Sequence, residues 1–164
     1  MDIVGADKVI RQLGLAYLRE LATFGALSDE VITALLQGGV IRRFNKGEYL
    51  ARFNETATDF QVVLKGKFAF YKHCEDYDIL TRHFNEGDQM GFDLMLGLIP
   101  HNGTDVALED CLLLDISSSQ FYNLHVDFPA DFGLLMINLA RELSREIALL
   151  ETVIEESPRS QPEK

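Results

Sequence analysis

The chain has 164 residues and a formal net charge of −11, from 26 acidic and 15 basic residues. This length favours one domain, and a hydrophobic fraction of 47% can fill a core, which excludes a disordered chain. The acidic balance disfavours binding to nucleic acids or to anionic membranes, since both require clustered Lys and Arg.

The first 39 residues are predicted to form a helical segment. Apolar side chains recur there at helical spacing, at Ile10, Leu13, Tyr17, Leu18 and Leu21. Ser28 is a candidate N-cap of a second helix, because acidic residues and then apolar residues follow it. Gly38 and Gly39 are expected to end that helix.

Residues 40–127 are predicted to form a β-domain. Short apolar stretches rich in β-forming residues alternate with turn residues, which is typical of an all-β sandwich or barrel. The predicted strands include residues 40–41, 48–51, 60–64, 67–71, 79–81, 105–108 and 111–116. The predicted fold is therefore mainly β with flanking helices.

Residues 128–156 are predicted to form a long helix that pairs with a second copy. Apolar residues alternate at spacings of four and three, as in the seam of a coiled coil: Met136, Ala140, Leu143, Ile147, Leu150 and Ile154. Leu135, Leu139 and Leu149 lie off this seam and are expected to pack on the domain. The alternative is an amphipathic helix that packs only on its own domain. The tail, residues 157–164, is predicted to be disordered from its composition.

No Lys or Arg occurs between Arg82 and Arg141, whereas acidic residues are frequent there. The ordinary explanation is a solvated acidic surface. In either case, a site built from this window would bind phosphate poorly unless another segment supplied a cation.

Five segments together resemble the cyclic-nucleotide-binding domain of the catabolite activator protein and Fnr-type regulator family. They are Asn45–Leu50, Phe53–Gly66, Asn85–Gly91, Cys111–Ser117 and Leu139–Leu143. The resemblance implies a double-stranded β-helix, or jelly roll, with a long C-terminal dimer helix. Asn54 stands where the family usually has glycine, and it tolerates the left-handed conformation that the turn requires.

The segment that resembles the family's phosphate-binding cassette departs from the pattern. In relatives that bind cAMP or cGMP, a Glu contacts the ribose and an Arg neutralises the phosphate. Here Phe92 occupies the Glu position and His101 the Arg position, counted back from Cys111. A partly charged histidine lacks the bidentate fork of arginine, so ordinary cyclic nucleotides are possible but disfavoured ligands. The candidate ligand-binding residues are Gly91, Phe92, Asp93, Leu94, His101, Asn102, Gly103 and Thr104.

We therefore predict a stand-alone, dimeric regulatory module with no enzymatic activity, no metal site and no DNA-binding domain. A metal or haem site at His73, Cys74 and His83 is disfavoured, because no paired Cys-x-x-Cys or His-x-His occurs. Three variants stay open: a sensor for a ligand other than cAMP, a genuine cyclic-nucleotide receptor, and a dimeric scaffold for a partner protein. The acidic N-terminus disfavours a signal peptide, and no apolar run is long enough to span a membrane. The predicted location is cytoplasmic, with reduced thiols at Cys74 and Cys111.

Overall fold

The structure is a computed structural model that describes residues 2–51 and 54–156, with side chains at all of these except 51 and 153–156. The elements are β1 (Asp2–Val4), α1 (Ala6–Leu13), α2 (Leu15–Glu20), a 3-10 helix (Ala22–Phe24), α3 (Asp29–Gly38), β2 (Val40–Phe44), β3 (Tyr49–Ala51), β4 (Asp59–Lys65), β5 (Phe68–His73), β6 (Asp78–Phe84), β7 (Gln89–Met90), α4 (Phe92–Gly97), β8 (Gly103–Ala107), β9 (Cys111–Ser117), α5 (Ser118–Asp127) and α6 (Pro129–Glu156). The predicted disordered tail lies outside the described residues.

The described strands form two antiparallel sheets. One has the order β1-β2-β9-β4-β7 and the other β3-β8-β5-β6. Helices flank these sheets at both ends of the chain, and α6 is by far the longest. The predicted fold class, mainly β with flanking helices and a long C-terminal helix, is confirmed.

Two hydrophobic cores hold the layers together. The larger one joins the helices to one face of the five-stranded sheet, and Leu35, Val62 and Leu139 are among its fully buried members. The smaller one lies between the two sheets, where Val63 of β4 meets Phe68 of β5. Burial of a side chain of this size contributes roughly 1.5–3 kcal/mol, so these cores fix the relative position of sheets and helices.

The N-terminal helices begin and end largely where the sequence predicts. The Ser28 hydroxyl accepts a hydrogen bond from the Val31 amide, and α3 ends at Gly38. Strand β1 was not predicted, because three residues are too few to show alternation. It pairs with β2, where Val4 lies opposite Ile41.

Helix α5 lies inside the predicted β-domain and was not among its predicted elements, since residues 118–127 are helical. Ser117 ends β9 and its hydroxyl accepts a hydrogen bond from the Gln120 amide, so the strand passes directly into a capped helix. The signal in the sequence is this cap followed by Phe121 and Leu124, which are buried three residues apart.

Helix α6 is anchored along its first half. Asn138 is buried and donates hydrogen bonds to the carbonyls of Thr23 and Gly25 at 3.2 and 2.7 Å. Asp131 accepts a hydrogen bond from the Ser28 amide at 2.7 Å. These contacts hold the start of α6 against the N-terminal helices.

The predicted apolar residues of α6 fall into three groups by exposure: fully buried, half-buried and exposed. Leu135 and Leu139 are fully buried, as predicted, whereas the prediction is wrong for Leu149, which is 64% exposed. Of the predicted pairing residues, Met136 and Leu143 are half-buried against the larger core, and Ala140, Ile147 and Leu150 are exposed. The side chain of Ile154 lies outside the described residues. No helix in the described ranges is both long enough and apolar enough to cross a membrane.

Candidate functional site

The candidate site is built around the segment that joins β7 to β8. Gly91 follows β7 with φ = 78°, a left-handed conformation that favours glycine, and it caps the short helix α4. Leu98 ends α4 with φ = 53°, and the chain then runs through His101 into β8. We call residues 91–103 the cassette.

The two ends of the cassette lie side by side. A Cβ atom built on Gly91 would be 3.7 Å from His101 Cε1 and 3.6 Å from Gln61 Oε1. The backbone amide of His101 donates to the Glu55 carbonyl at 3.0 Å, and its carbonyl accepts from the Asn54 amide at 2.9 Å. Asn54 has φ = 64°, which confirms the expectation that asparagine holds the left-handed turn there.

Phe92 belongs to the core. It is 1% exposed, and its ring centroid lies 5.2 Å from that of Phe60 and 5.6 Å from that of Phe121. Leu94 is half-buried and packs against the same larger core, whereas Asp93 is exposed. Phe92, which the resemblance aligns with the family's Glu, is therefore a core residue that stabilises the fold.

A polar network, which we call the Glu146 network, connects α6 to the cassette. Glu146 of α6 forms an ion pair with Arg82 of β6 and accepts a hydrogen bond from Gln89 Nε2 at 2.8 Å. Gln89 is itself buried, and its Oε1 accepts a hydrogen bond from the Phe92 amide at 3.0 Å. The contact thus runs from the second half of α6, through β7, to the first residue of α4.

The favourable interactions of the Glu146 carboxylate do not offset the cost of burying its charge. Its side chain is 16% exposed, and burial raises the pKa of this carboxyl above its ordinary value. Arg82 and Gln89 favour the ionised form, while the negative charge of Asp93 opposes it. The raised pKa means that the partners do not fully compensate for burial of the carboxylate.

Arg82 supplies the cation that the sequence window lacks. The window without Lys or Arg begins at the next residue, so a count within the window misses it. Arg82 also lies over the ring of Phe84, with its Cζ 4.4 Å from the ring centroid. The register of β6 shifts between Leu80 and Arg82, and this shift together with the position of α6 brings the guanidinium to the site.

The residues at the β8 end of the cassette differ in burial and in the groups they contact. Asn102 is exposed, whereas Gly103 is buried against the ring of Phe70 and the carbonyl of Tyr71. The Thr104 hydroxyl lies 2.9 Å from His73 Nε2, on strands β8 and β5. The side chain of Thr104 is therefore held by β5.

Surface cavities formed by the described residues include one of about 290 Å³ and one of about 510 Å³, and the candidate residue Thr104 lines the larger one. The smaller one lies between the 3-10 helix and α6, and the larger one lies on β3, β5, β6 and β8. Neither is lined by Gly91 or His101. Within the described ranges, no group of three His, Cys, Asp or Glu residues is placed to hold a metal ion.

Comparisons with solved structures identify the same architecture. The chain is similar to a cyclic nucleotide-binding domain from Methylobacillus flagellatus KT, with 18% identity over 97% of this chain and 92% of that one, at a TM-score of 0.78. It is also similar to the catabolite activator protein of Thermus thermophilus, with 21% identity over 82% of this chain and 62% of that one, at a TM-score of 0.67.

A third similar structure is the regulatory domain of Toxoplasma gondii PKA crystallised with cAMP. The identity is 17% over 85% of this chain and 52% of that one, at a TM-score of 0.66. At such identities these structures establish the fold alone. No curated protein matches the chain.

The family model described as the cyclic nucleotide-binding domain matches residues 41–127, which is just over half of the chain. The resemblance predicted from the sequence is thereby confirmed at the level of the domain. The two sheets, the cassette and the long C-terminal helix agree with this match, and the chain belongs to the cyclic nucleotide-binding domain family.

Proposed function

We propose that this domain is a regulatory sensor, and that Glu146 of α6 pairs with Arg82 until a ligand displaces it. The proposal rests on the Glu146 network. In it, the Glu146 carboxylate of the long helix forms an ion pair with Arg82, a permanently charged residue beside the cassette. A ligand with an anionic group competes with this carboxylate for the same guanidinium. Binding and movement of α6 are then coupled, because one contact must break for the other to form.

The residues of the cassette do not fit an ordinary cyclic nucleotide. Phe92 fills the family's Glu position and belongs to the core, so no ribose contact is available from it. His101 fills the Arg position, and the carboxylates of Asp93 and Glu146 add negative charge nearby. We infer that the cassette has changed its ligand, and that the module binds rather than catalyses.

The response of the module follows from how α6 is held. Its first half is fixed by Asn138 and Asp131, while the Glu146 network holds its second half. Displacement of Glu146 would release the second half while the first stays anchored. The helix would then change its position from about Glu146 onward.

We further propose that this second half pairs with a second copy of the chain. Ile147 and Leu150 are 59% and 58% exposed, and Ala140 is exposed on the same side of the helix. Large apolar side chains at such spacing are costly to leave in water. Because Glu146 precedes Ile147 in the chain, loss of its contact would also reorient the pairing residues.

A second candidate function is a dimeric scaffold that binds no small molecule. It is favoured by one observation, namely that Phe92 of the cassette is buried in the core. A scaffold would use the Glu146 network only to fix α6. Ligand titration distinguishes the two functions.

We expect 1 mM cAMP to raise the melting temperature of the wild-type chain by less than about 1 °C, since a ligand stabilises the native state only when present above its Kd. The Glu146→Gln variant should respond more strongly. Removal of the carboxylate makes Arg82 available for a charge-assisted contact, worth roughly 1.5–3 kcal/mol or about 10- to 150-fold in affinity. Differential scanning fluorimetry with cAMP and cGMP measures both responses.

The control is Glu151→Gln, which removes the same charge from an exposed position on the same helix. It should leave the response to cAMP unchanged. A wild-type shift of several degrees at micromolar cAMP would establish a genuine receptor instead. If the Glu146→Gln variant folds but responds no better than wild type, competition between Glu146 and the phosphate of a cyclic nucleotide is excluded and the scaffold is favoured.

The Ile147→Glu variant should sediment as a monomer under conditions where the wild-type chain is a dimer. A charge at this exposed position would have to be buried in the pairing surface, whereas it costs little in the free monomer. Sedimentation velocity at micromolar concentration measures the change. Asn123→Glu, an exposed position on α5, should leave the dimer intact, and a wild-type monomer would contradict the proposed pairing.

A further inference from the structure

The outer side of the four-stranded sheet carries a concave surface that the proposed sensor function does not use. Tyr49, Tyr71, Asp78, Thr104 and Val106 line this concavity, which has a volume of about 510 Å³. We call these residues the tyrosine face. Its register is defined by the pairs Tyr49 with Val106 and Tyr71 with Thr104.

The tyrosine face lies opposite the core between the sheets. Leu50, Phe68 and Ala107 belong to that core, and they alternate along the strands with the residues of the face. Tyr49 on β3 and Tyr71 on β5 lie diagonally across β8, because they pair with Val106 and Thr104, two residues apart on that strand. Two strand spacings combined with this offset place their backbones roughly 12 Å apart. This spacing leaves room for a slender side chain between two aromatic rings, above Val106 and Thr104.

One end of the face is polar and its geometry is fixed by hydrogen bonds. His73 bonds to Asp78 through Nδ1 and to the Thr104 hydroxyl through Nε2. Asp78 remains 53% exposed at its side chain, so solvent and a ligand both reach the carboxylate. The imidazole holds Asp78 in place beside the tyrosines.

The charge of the face is negative. On the described residues of β3, β5, β6 and β8, the Lys and Arg residues are Lys72 and Arg82, and both lie on the other side of the sheet. Lys72 does so by strand alternation, and Arg82 because the register of β6 shifts between Leu80 and Arg82. His83 pairs with Ala69 on the side of the face. Glu75 and Asp76 are exposed in the turn that leads to Asp78. Together with a net charge of −11, this arrangement attracts cations and repels anions.

We propose that the tyrosine face binds a Lys or Arg side chain presented by a basic segment of a partner protein. Tyrosine rings attract a cation placed over their faces, and the Asp78 carboxylate pairs with the charged end. The alkyl part of the same side chain would lie against Val106. This site is independent of the Glu146 network, so either proposal can fail without the other.

The test uses the full chain labelled with ¹⁵N and a peptide of alternating lysine and glycine as the probe. We expect the amide signals of Tyr49, Tyr71, Asp78 and Val106 to shift on titration. A peptide of alternating glutamate and glycine should cause no such shifts. Each of Tyr71→Leu, Tyr49→Leu and Asp78→Asn should weaken binding by about 2- to 5-fold, the size of a single exposed cation–π contact or ion pair.

The matched controls lie on α5, away from the face. Tyr122→Leu and Asp127→Asn remove the same groups from exposed positions and should leave the affinity unchanged. Tyr49 is 67% exposed, so Tyr49→Leu keeps the test valid even if Tyr71→Leu fails to fold.

Three results would overturn the proposal. The first is the absence of localised shifts at millimolar peptide. The second is weakening by the control substitutions equal to that at the face, which would indicate attraction to the acidic surface as a whole. The third is a set of shifts with a neutral disaccharide but none with the lysine peptide, which would identify a carbohydrate surface.

Discussion

Replacing Phe92 with alanine is expected to lower the free energy of unfolding by about 3–5 kcal/mol. The ring is fully buried and makes edge contacts with Phe60 and Phe121, so its removal leaves a cavity between α4, β4 and α5. Aromatic pairs of this geometry contribute roughly 0.5–1.5 kcal/mol beyond the buried area. Urea denaturation followed by circular dichroism measures the loss.

The Phe92→Glu variant is a stricter test, because it introduces the residue type that the family resemblance aligns with this position. A carboxylate at this position would be buried among aromatic rings, and burial of an unpaired charge costs more than the cavity alone. We therefore expect Phe92→Glu to unfold the domain rather than to restore a ribose contact. Recovery of cAMP affinity in a folded Phe92→Glu variant would contradict this assignment of Phe92 to the core.

The control for the aromatic cluster is Tyr122→Ala on α5. Tyr122 is 65% exposed, and an exposed substitution of this kind usually changes stability by less than about 0.5 kcal/mol. A loss below about 1 kcal/mol for Phe92→Ala, similar to that of the control, would mean that the ring adds little to the core.

Local sequence signals predicted much of this fold. Ser28 and the two glycines at the end of α3 define a helix through capping, which depends on only a few neighbouring residues. Likewise, Asn54 holds a left-handed turn, because asparagine tolerates this backbone conformation better than most residues. The resemblance to a known family then placed Gly91 and His101 at the two ends of one segment, and the structure brings them together.

The contacts that build the candidate site depend on long-range geometry. Arg82 and Glu146 meet only because β6 presents one side to α6, and a strand shifted by one residue would turn the guanidinium away. Thr104 illustrates the same limit, since counting along the cassette assigned it to the ligand whereas its register places it beside His73. The face of a strand follows from pairing, which a single sequence does not encode locally.

The second large effect is expected at Gly103, where β8 begins. Replacement by alanine should lower the free energy of unfolding by about 3 kcal/mol, the upper end of the usual range for an overpacked site. A Cβ atom there would lie 2.3 Å from the Tyr71 carbonyl oxygen and 2.5 Å from a carbon of the Phe70 ring. The carbonyl belongs to the backbone of β5 and cannot rotate away, so the paired strands must separate.

Gly133 provides a control in which the same substitution should have the opposite effect. It lies in α6, and a Cβ atom built there meets nothing within 4 Å. Because alanine is a better helix former than glycine, Gly133→Ala should raise the free energy of unfolding by about 0.5–1 kcal/mol. Thermal denaturation gives the melting temperatures of the two variants and of wild type. A loss for Gly103→Ala together with a gain for Gly133→Ala would show that the effect at β8 is steric and not a general response to an added methyl group. Equal melting temperatures for Gly103→Ala and wild type would show that β5 and β8 can move apart without a loss of stability. The cassette would then lack the rigid support that the proposed coupling to α6 requires.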